Sequence, residues 1–284
     1  MELHDAHAHY HFATLAPFIA AALEEARRDG LAAGVVNGTC EEDWPQVREF
    51  VRKHPWTRAA YGIHPWQAPH RTLDWEEILR GFLLEDPTAS VGEIGLDARV
   101  SGHNLADQTD LFRRQWALAV ELKRPITVHC IQAWEPLRQS LRRAPATASG
   151  FLIHAYNGPP EWIPSLAELG AYFSFSPYFL HDRKRPQRDA FRLMPPDRIL
   201  IETDAPALGP PLEHNIHILT NSVTGEPLNH PVNLRVALIA LAETLGCTPA
   251  AAAGFTAENW TRLFAPEAAA PPPPGASGDG RHGR

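Results

Sequence analysis

Short apolar runs alternate with amphipathic stretches along this chain, and the alternation repeats eight times before residue 264. An apolar run too short for a helix, followed by a stretch of helical period, is the pattern of a βα unit. Repeated βα units build a parallel sheet covered by helices. The strand-like runs fall at 2–6, 32–37, 58–63, 90–94, 125–129, 151–154, 171–176 and 198–203. In a chain of 284 residues with 44% hydrophobic side chains, they predict a single α/β domain over residues 1–265, a (β/α)8 TIM barrel.

The stretches between the runs carry helical faces. Over 106–122, Leu111, Phe112, Gln115, Trp116, Ala119 and Leu122 recur at three- and four-residue steps, with Arg113, Arg114, Glu121 and Lys123 on the other face. The stretch 232–245 repeats the device and ends at Gly246, a residue type favoured just past a helix C-terminus. A last helix over 248–264 closes the fold. Residues 266–284, with four consecutive prolines and a glycine-rich end, show no apolar periodicity and read as a disordered tail.

Composition excludes some roles. A formal charge of −7 argues against holding nucleic acid by overall basicity, which depends on Lys and Arg neutralising phosphate. It leaves room for a local phosphate site, because bound cations add positive charge that the count omits. Cys40, Cys130 and Cys247 are odd in number and lack CxxC spacing, which points to a reducing cytoplasm rather than a disulfide framework. No stretch reads as a secretory signal or a membrane span. The expected setting is cytoplasmic, with no membrane and no obligate protein partner.

The runs end in metal-binding residues. His7, His9, Glu93, His129, His154 and Asp204 each lie at or just past the end of a strand-like run, and the C-terminal strand ends of a parallel barrel meet at one mouth. Asp5, His7 and His9 form D-x-H-x-H, and residues two apart on a strand share a face. Glu93 interrupts an apolar strand between Gly92 and Gly95. A buried unpaired carboxylate costs several kcal/mol, at least roughly, and ligation removes that cost. Its two oxygens can also bridge two cations.

His129 and His154 close consecutive runs and suit a second ion that shares Glu93. Asp204 follows the eighth run, beside the first in a closed barrel, so it can join His7 and His9 while a free oxygen takes a proton from water. Asp204 and Glu93 are thus the candidate catalytic residues. Glu202 and Asp5 are expected to position the ligand histidines, and Cys130 to pack away from the mouth. His64 ends the third run and is the candidate substrate contact, or else a cap on the turn before Pro65. Trp66 offers a ring that stacks on a base or packs. Arg183, Lys184, Arg185, Arg188 and Arg192 form a cationic run that grips a phosphate backbone or lies on a solvated helix face.

Taken together, Asp5-Ala6-His7-Ala8-His9, Tyr61-Gly62-Ile63-His64-Pro65, Gly92-Glu93-Ile94-Gly95-Leu96-Asp97, Val128-His129-Cys130, His154-Ala155-Tyr156-Asn157-Gly158 and Glu202-Thr203-Asp204-Ala205-Pro206 resemble the TatD family of metal-dependent deoxyribonucleases, amidohydrolase-like barrels. The resemblance implies one cation on His7, His9 and Asp204, a second on His129 and His154, and Glu93 between them. It also implies a divalent-metal-dependent phosphodiesterase acting on DNA, with two cations drawn from Zn, Mg or Mn. The chain departs from the family pattern at Ile131 and Leu228, where arginines are usual, and at Ser176-Pro177, where Ser-Gly is usual. An alternative reading keeps the site but changes the bond, to an amide, ester or lactone.

Overall fold

Thr203 and Asp204 end the eighth strand early, and the way they do so closes the barrel. The eight strands are β1 (Leu3–Ala8), β2 (Leu31–Asn37), β3 (Thr57–Tyr61), β4 (Ser90–Asp97), β5 (Ile126–Ile131), β6 (Phe151–Ile153), β7 (Ala171–Phe175) and β8 (Ile199–Ile201). They pair in parallel and in chain order into a closed barrel, β8 returning to β1. The expected eighth run extended to residue 203, but after Ile201 the chain bonds to β1 differently. Thr203 N–H donates to the Asp5 carboxylate (3.0 Å) and Asp204 N–H to the His7 carbonyl (2.9 Å). The computed structural model describes residues 1–99, 102 and 104–265. The tail expected over 266–284 lies outside the described residues.

Helices α1 (Ile19–Arg28), α2 (Trp44–Lys53), α3 (Trp75–Glu85), α4 (Leu105–Glu121), α5 (Trp134–Arg143), α6 (Ile163–Glu168), α7 (Arg185–Ala190), α8 (Leu234–Leu245) and α9 (Pro249–Phe264) accompany the strands. The periodic face of α4 buries Leu111, Phe112, Gln115, Trp116 and Ala119, as the spacing requires. Gly246 caps α8 in the left-handed conformation, φ 69°. No single helix among the described residues is long and apolar enough to cross a membrane.

Buried apolar side chains divide into two cores. The larger includes Trp44, Leu79, Phe112 and Leu137, from helices packed on the sheet. The smaller gathers Ala6, Val35, Ala60, Leu152, Tyr172 and Leu200 from the strands with Trp260, Leu263 and Phe264 of α9. Helix α9 therefore completes the strands' own core. Asn259 Nδ2 donates to the carbonyls of Pro196 and Ile199, both at 2.8 Å, and Trp260 Nε1 to that of Asp5 at 3.3 Å. Trp260→Ala is expected to lower unfolding free energy by about 3–5 kcal/mol in a urea titration, the range for a large aromatic removed from a core. A loss under about 1 kcal/mol would show that α9 does not close this core.

Candidate functional site

The side chains at the barrel mouth are arranged around the Glu93 carboxylate, which is buried to 3% exposure. Its position depends on a strand with almost no room beside it. A Cβ on Gly95, where φ is +153°, would lie 1.9 Å from the His129 carbonyl oxygen, so only glycine lets β4 lie this close to β5. Glu93 Oε1 is 2.9 Å from both His129 Nδ1 and His154 Nε2. Glu93 Oε2 is 3.4 Å from both His7 Nε2 and His9 Nε2. One oxygen thus faces each pair of histidines.

Asp204 completes the His7 and His9 side, with Oδ1 3.4 Å from each Nε2. The barrel closure puts it there: Asp204 N–H bonds the His7 carbonyl, and His9 N–H bonds the Ala205 carbonyl at 2.7 Å. Asp204 takes a left-handed backbone, φ 55°, a conformation that aspartate enters more readily than most residues. His7, His9 and Asp204 each bring one ligand atom within 4.8 Å of the others, as do His7, Glu93 and His154, and also His64, Glu93 and His129.

The outer nitrogens of His9 and His129 decide what their inner nitrogens can do. His9 Nδ1–H donates to the Asn37 carbonyl at 2.7 Å, leaving a lone pair on Nε2 toward His7. His129 Nε2–H donates to Asp97 Oδ2 at 3.1 Å, leaving Nδ1 toward Glu93. His154 Nδ1 faces Glu202 Oε1 at 3.6 Å, and Glu202 Oε2 accepts from Ser174 Oγ at 2.5 Å. The inner nitrogens then crowd together: His7 Nε2 lies 3.3 Å from His9 Nε2, and His129 Nδ1 lies 3.3 Å from His154 Nε2. Lone pairs converging on carboxylate oxygens form a donor set that fits divalent cations.

The same lone pairs attract protons. Burial lowers the pKa of His9, but Asp204 and Glu93 outweigh it and raise it to about 10. His129 is raised despite burial by Asp97 and Glu93, and His154 well above its ordinary value by Glu93 and Glu202. Burial favours a neutral Glu93, yet the surrounding imidazoles hold it well below the carboxylate range.

His64 differs. Its Nδ1 accepts from Trp66 N–H at 3.1 Å, so the ring hydrogen is on Nε2, 3.7 Å from Glu93 Oε1. Burial, and the charge of His129, press its pKa down to about 3. His64 is therefore a neutral donor with no lone pair aimed at the cluster, and it also caps the turn before Pro65. The expected cap is thus present, and the Nε2–H stays on the side facing Glu93.

One expectation needs correction. Among the described residues Asp5 hydrogen-bonds no imidazole: it accepts from His7 N–H (3.2 Å), Tyr10 Oη (2.6 Å) and Thr203 Oγ1 (2.5 Å), tying β1 to the end of β8. The pairing of β1 with β2 shifts register between Asp5 and Ala8, which breaks the alternation that would align Asp5 with the histidines. Of the cationic run, Lys184 lines the cavity at the mouth. Arg183 reaches the Tyr178 hydroxyl, Arg185 and Arg192 pair with Asp189, and Arg192 also bonds the Thr244 carbonyl.

The sequence assigned no role to three contributors. Asp97 ends β4, and its Oδ2 accepts both from His129 and from Trp66 Nε1 (2.8 Å). Asn37 acts through its backbone carbonyl. Asn229 Nδ2 donates to the Thr203 carbonyl at 2.7 Å, bracing the turn that bears Asp204. The cavity above the cluster holds about 500 Å³ and is lined by Phe12, Trp66, Arg99, Ile131, Tyr178 and Lys184 among others.

Residues 4–265 match the family model for TatD related DNase. The chain is 28% identical over 250 residues to the 3'-5' ssDNA/RNA exonuclease TatD of Rahnella sp. (strain Y9602), covering 86% of this chain and 90% of that protein. It is 28% identical over 263 residues to the uncharacterized metal-dependent hydrolase YabD of Bacillus subtilis (strain 168), covering 92% and 98%. The crystal structure of YjjV, a TatD homologue from Escherichia coli K12, superposes with a TM-score of 0.81 at 25% identity, over 92% of this chain and 97% of that one. With a family model matched along nearly all its described length, the chain belongs to the TatD related DNase family, metal-dependent hydrolases built on a TIM barrel.

Proposed function

We propose that this chain hydrolyses phosphodiester bonds of single-stranded DNA or RNA with two divalent cations. His7, His9 and Asp204 would hold one, His129 and His154 the other, and Glu93 both. The division of the Glu93 carboxylate, one oxygen toward each histidine pair, carries this reading. The substrate is supported by the exonuclease relative in Rahnella. The free thiols of Cys40, Cys130 and Cys247 support a cytoplasmic setting.

A divalent cation such as Zn, Mg or Mn supplies a Lewis acid there, making water more acidic and offsetting charge on phosphoryl oxygens. The chain's own residues do the rest. Asp204, held ionised by His7 and His9 although burial opposes it, orients the attacking water by accepting its hydrogen bond. His64 offers Nε2–H to a phosphate oxygen. Asp97 and the Asn37 carbonyl keep the imidazoles in the tautomer that ligation needs. An amide, ester or lactone substrate draws on one observation, that Ile131 rather than an arginine lines the cavity. Hydrolysis of labelled single-stranded DNA, RNA and a lactone panel, with each cation returned to stripped protein, separates the two.

Losing a mere partner of a ligand costs about 10–100-fold, so Glu93→Gln is expected to cost at least about 100-fold in turnover with the fold intact. Near-normal turnover would sink the shared-carboxylate arrangement. Asp204→Asn is expected to lower kcat and kcat/KM together, as loss of a transition-state interaction does; a rise in KM alone would remove Asp204 from water activation. Because the His9 pKa is raised to about 10 and that of His154 well above its ordinary value, a cation must displace their protons at pH 7, and its affinity should rise with pH. Titration calorimetry in buffers of different ionisation enthalpy should register at least one proton released. A heat independent of buffer would contradict the charge state argued above.

A further inference from the structure

Trp66 is large, apolar and 47% exposed, and it stands at the mouth rather than on a remote surface. Exposed tryptophans are ordinarily free to turn. This one is pinned, because Asp97 Oδ2 accepts from its Nε1 at 2.8 Å. The same oxygen holds His129, whose ring centre lies 6.5 Å from the indole. The Arg99 guanidinium lies 5.9 Å from the indole centre, and Arg99 lines the cavity too. A fixed flat ring, a cation over it and an atom shared with the candidate cation site are thus joined in one device.

We infer that Trp66 is a nucleobase platform, held by Asp97 in register with His129, and that Arg99 binds the phosphate of the nucleotide seated there. This rests on the phosphodiesterase reading and adds the residues that choose a base-bearing strand over bare backbone. The chemistry fits: every base has a π face, so stacking binds a strand without reading its sequence, while a guanidinium meets a phosphate by charge and paired N–H groups. Asp97 is a positioning residue here, acting through the two rings it holds.

The test is equilibrium binding, measured by fluorescence anisotropy with full-length protein in chelator so that nothing is cut. The probes are a fluorescein-labelled octathymidylate and the same strand with abasic residues at its 3′ end. Wild-type protein should prefer the base-bearing strand. Trp66→Ala should reduce that preference by about 5- to 150-fold, the range reported by alanine substitution of a stacking aromatic. Trp66→Phe keeps a ring without the bond to Asp97 and should keep part of the preference, between wild type and Trp66→Ala, which guards against a mere folding defect. Arg99→Ala should weaken both strands alike and flatten the salt dependence of log K by about 0.7, one phosphate contact on a single strand. Equal loss of both strands in Trp66→Ala, or no wild-type preference, would overturn the platform.

Adding cations separates this from the function itself. Base preference without cleavage by any cation would end the phosphodiesterase reading while leaving the platform standing. Cleavage by wild type, with the strand preference of Trp66→Ala unchanged, would do the reverse.

Discussion

A carboxylate buried among imidazoles is the constraint on which the rest of this structure depends. Burying an ionised glutamate is costly unless its charge is matched and its oxygens are bonded. Glu93 meets that demand by being surrounded: His129 and His154 on one oxygen, His7 and His9 on the other. These residues come from β1 and the residue just past its end, β4, β5 and the turn after β6, so the arrangement exists only once the barrel has closed. Gly95 admits β5 to contact distance, and the hydrogen bonds between the end of β8 and β1 deliver Asp204. Features that read as fold details are therefore conditions on the chemistry.

A second ring of contacts gives the cluster its directionality. An imidazole among carboxylates can hold its hydrogen on either nitrogen, and a ligand needs it on the outside. The Asn37 carbonyl settles this for His9 and Asp97 for His129, and His154 turns Nδ1 toward Glu202. His64 is set the other way by the Trp66 N–H. Side chains of one type, a few ångströms apart, are thus divided into lone-pair bearers and a donor by their hydrogen bonds. Distance alone would have grouped His64 with Glu93 and His129.

What the sequence disclosed follows from the range over which each signal acts. Strand runs and the α4 face are local patterns of period two and 3.6, and the barrel rule carries His7, Glu93, His129, His154 and Asp204 to one mouth without knowledge of any contact. Asp97 was visible as a motif residue, but its bonds to Trp66 and His129 join residues 31 and 32 positions apart. The Asn37 contribution is a backbone carbonyl, which no side-chain pattern reveals. Asp5 misled because alternation was assumed where β1 shifts register. The part α9 plays in the strands' core was equally hidden, since an amphipathic pattern does not state which face of the sheet it will cover.

The departures from the family pattern bear on how an anionic substrate is met. Leu228 is buried at 8% exposure in the larger core, and Ile131 lines the cavity. Neither supplies charge. Arg99 and Lys184 line the mouth instead, 5.9 Å from the Trp66 ring centre and 5.3 Å from that of Tyr178 respectively. A lone surface cation attracts phosphate weakly and without geometry. A cation against a fixed aromatic face offers two chemistries at one spacing, and a nucleotide, with its charge and its flat base linked through one sugar, can answer both. In a chain of net charge −7, that pairing lets recognition depend on how charge and ring are placed rather than on how much positive charge the surface carries.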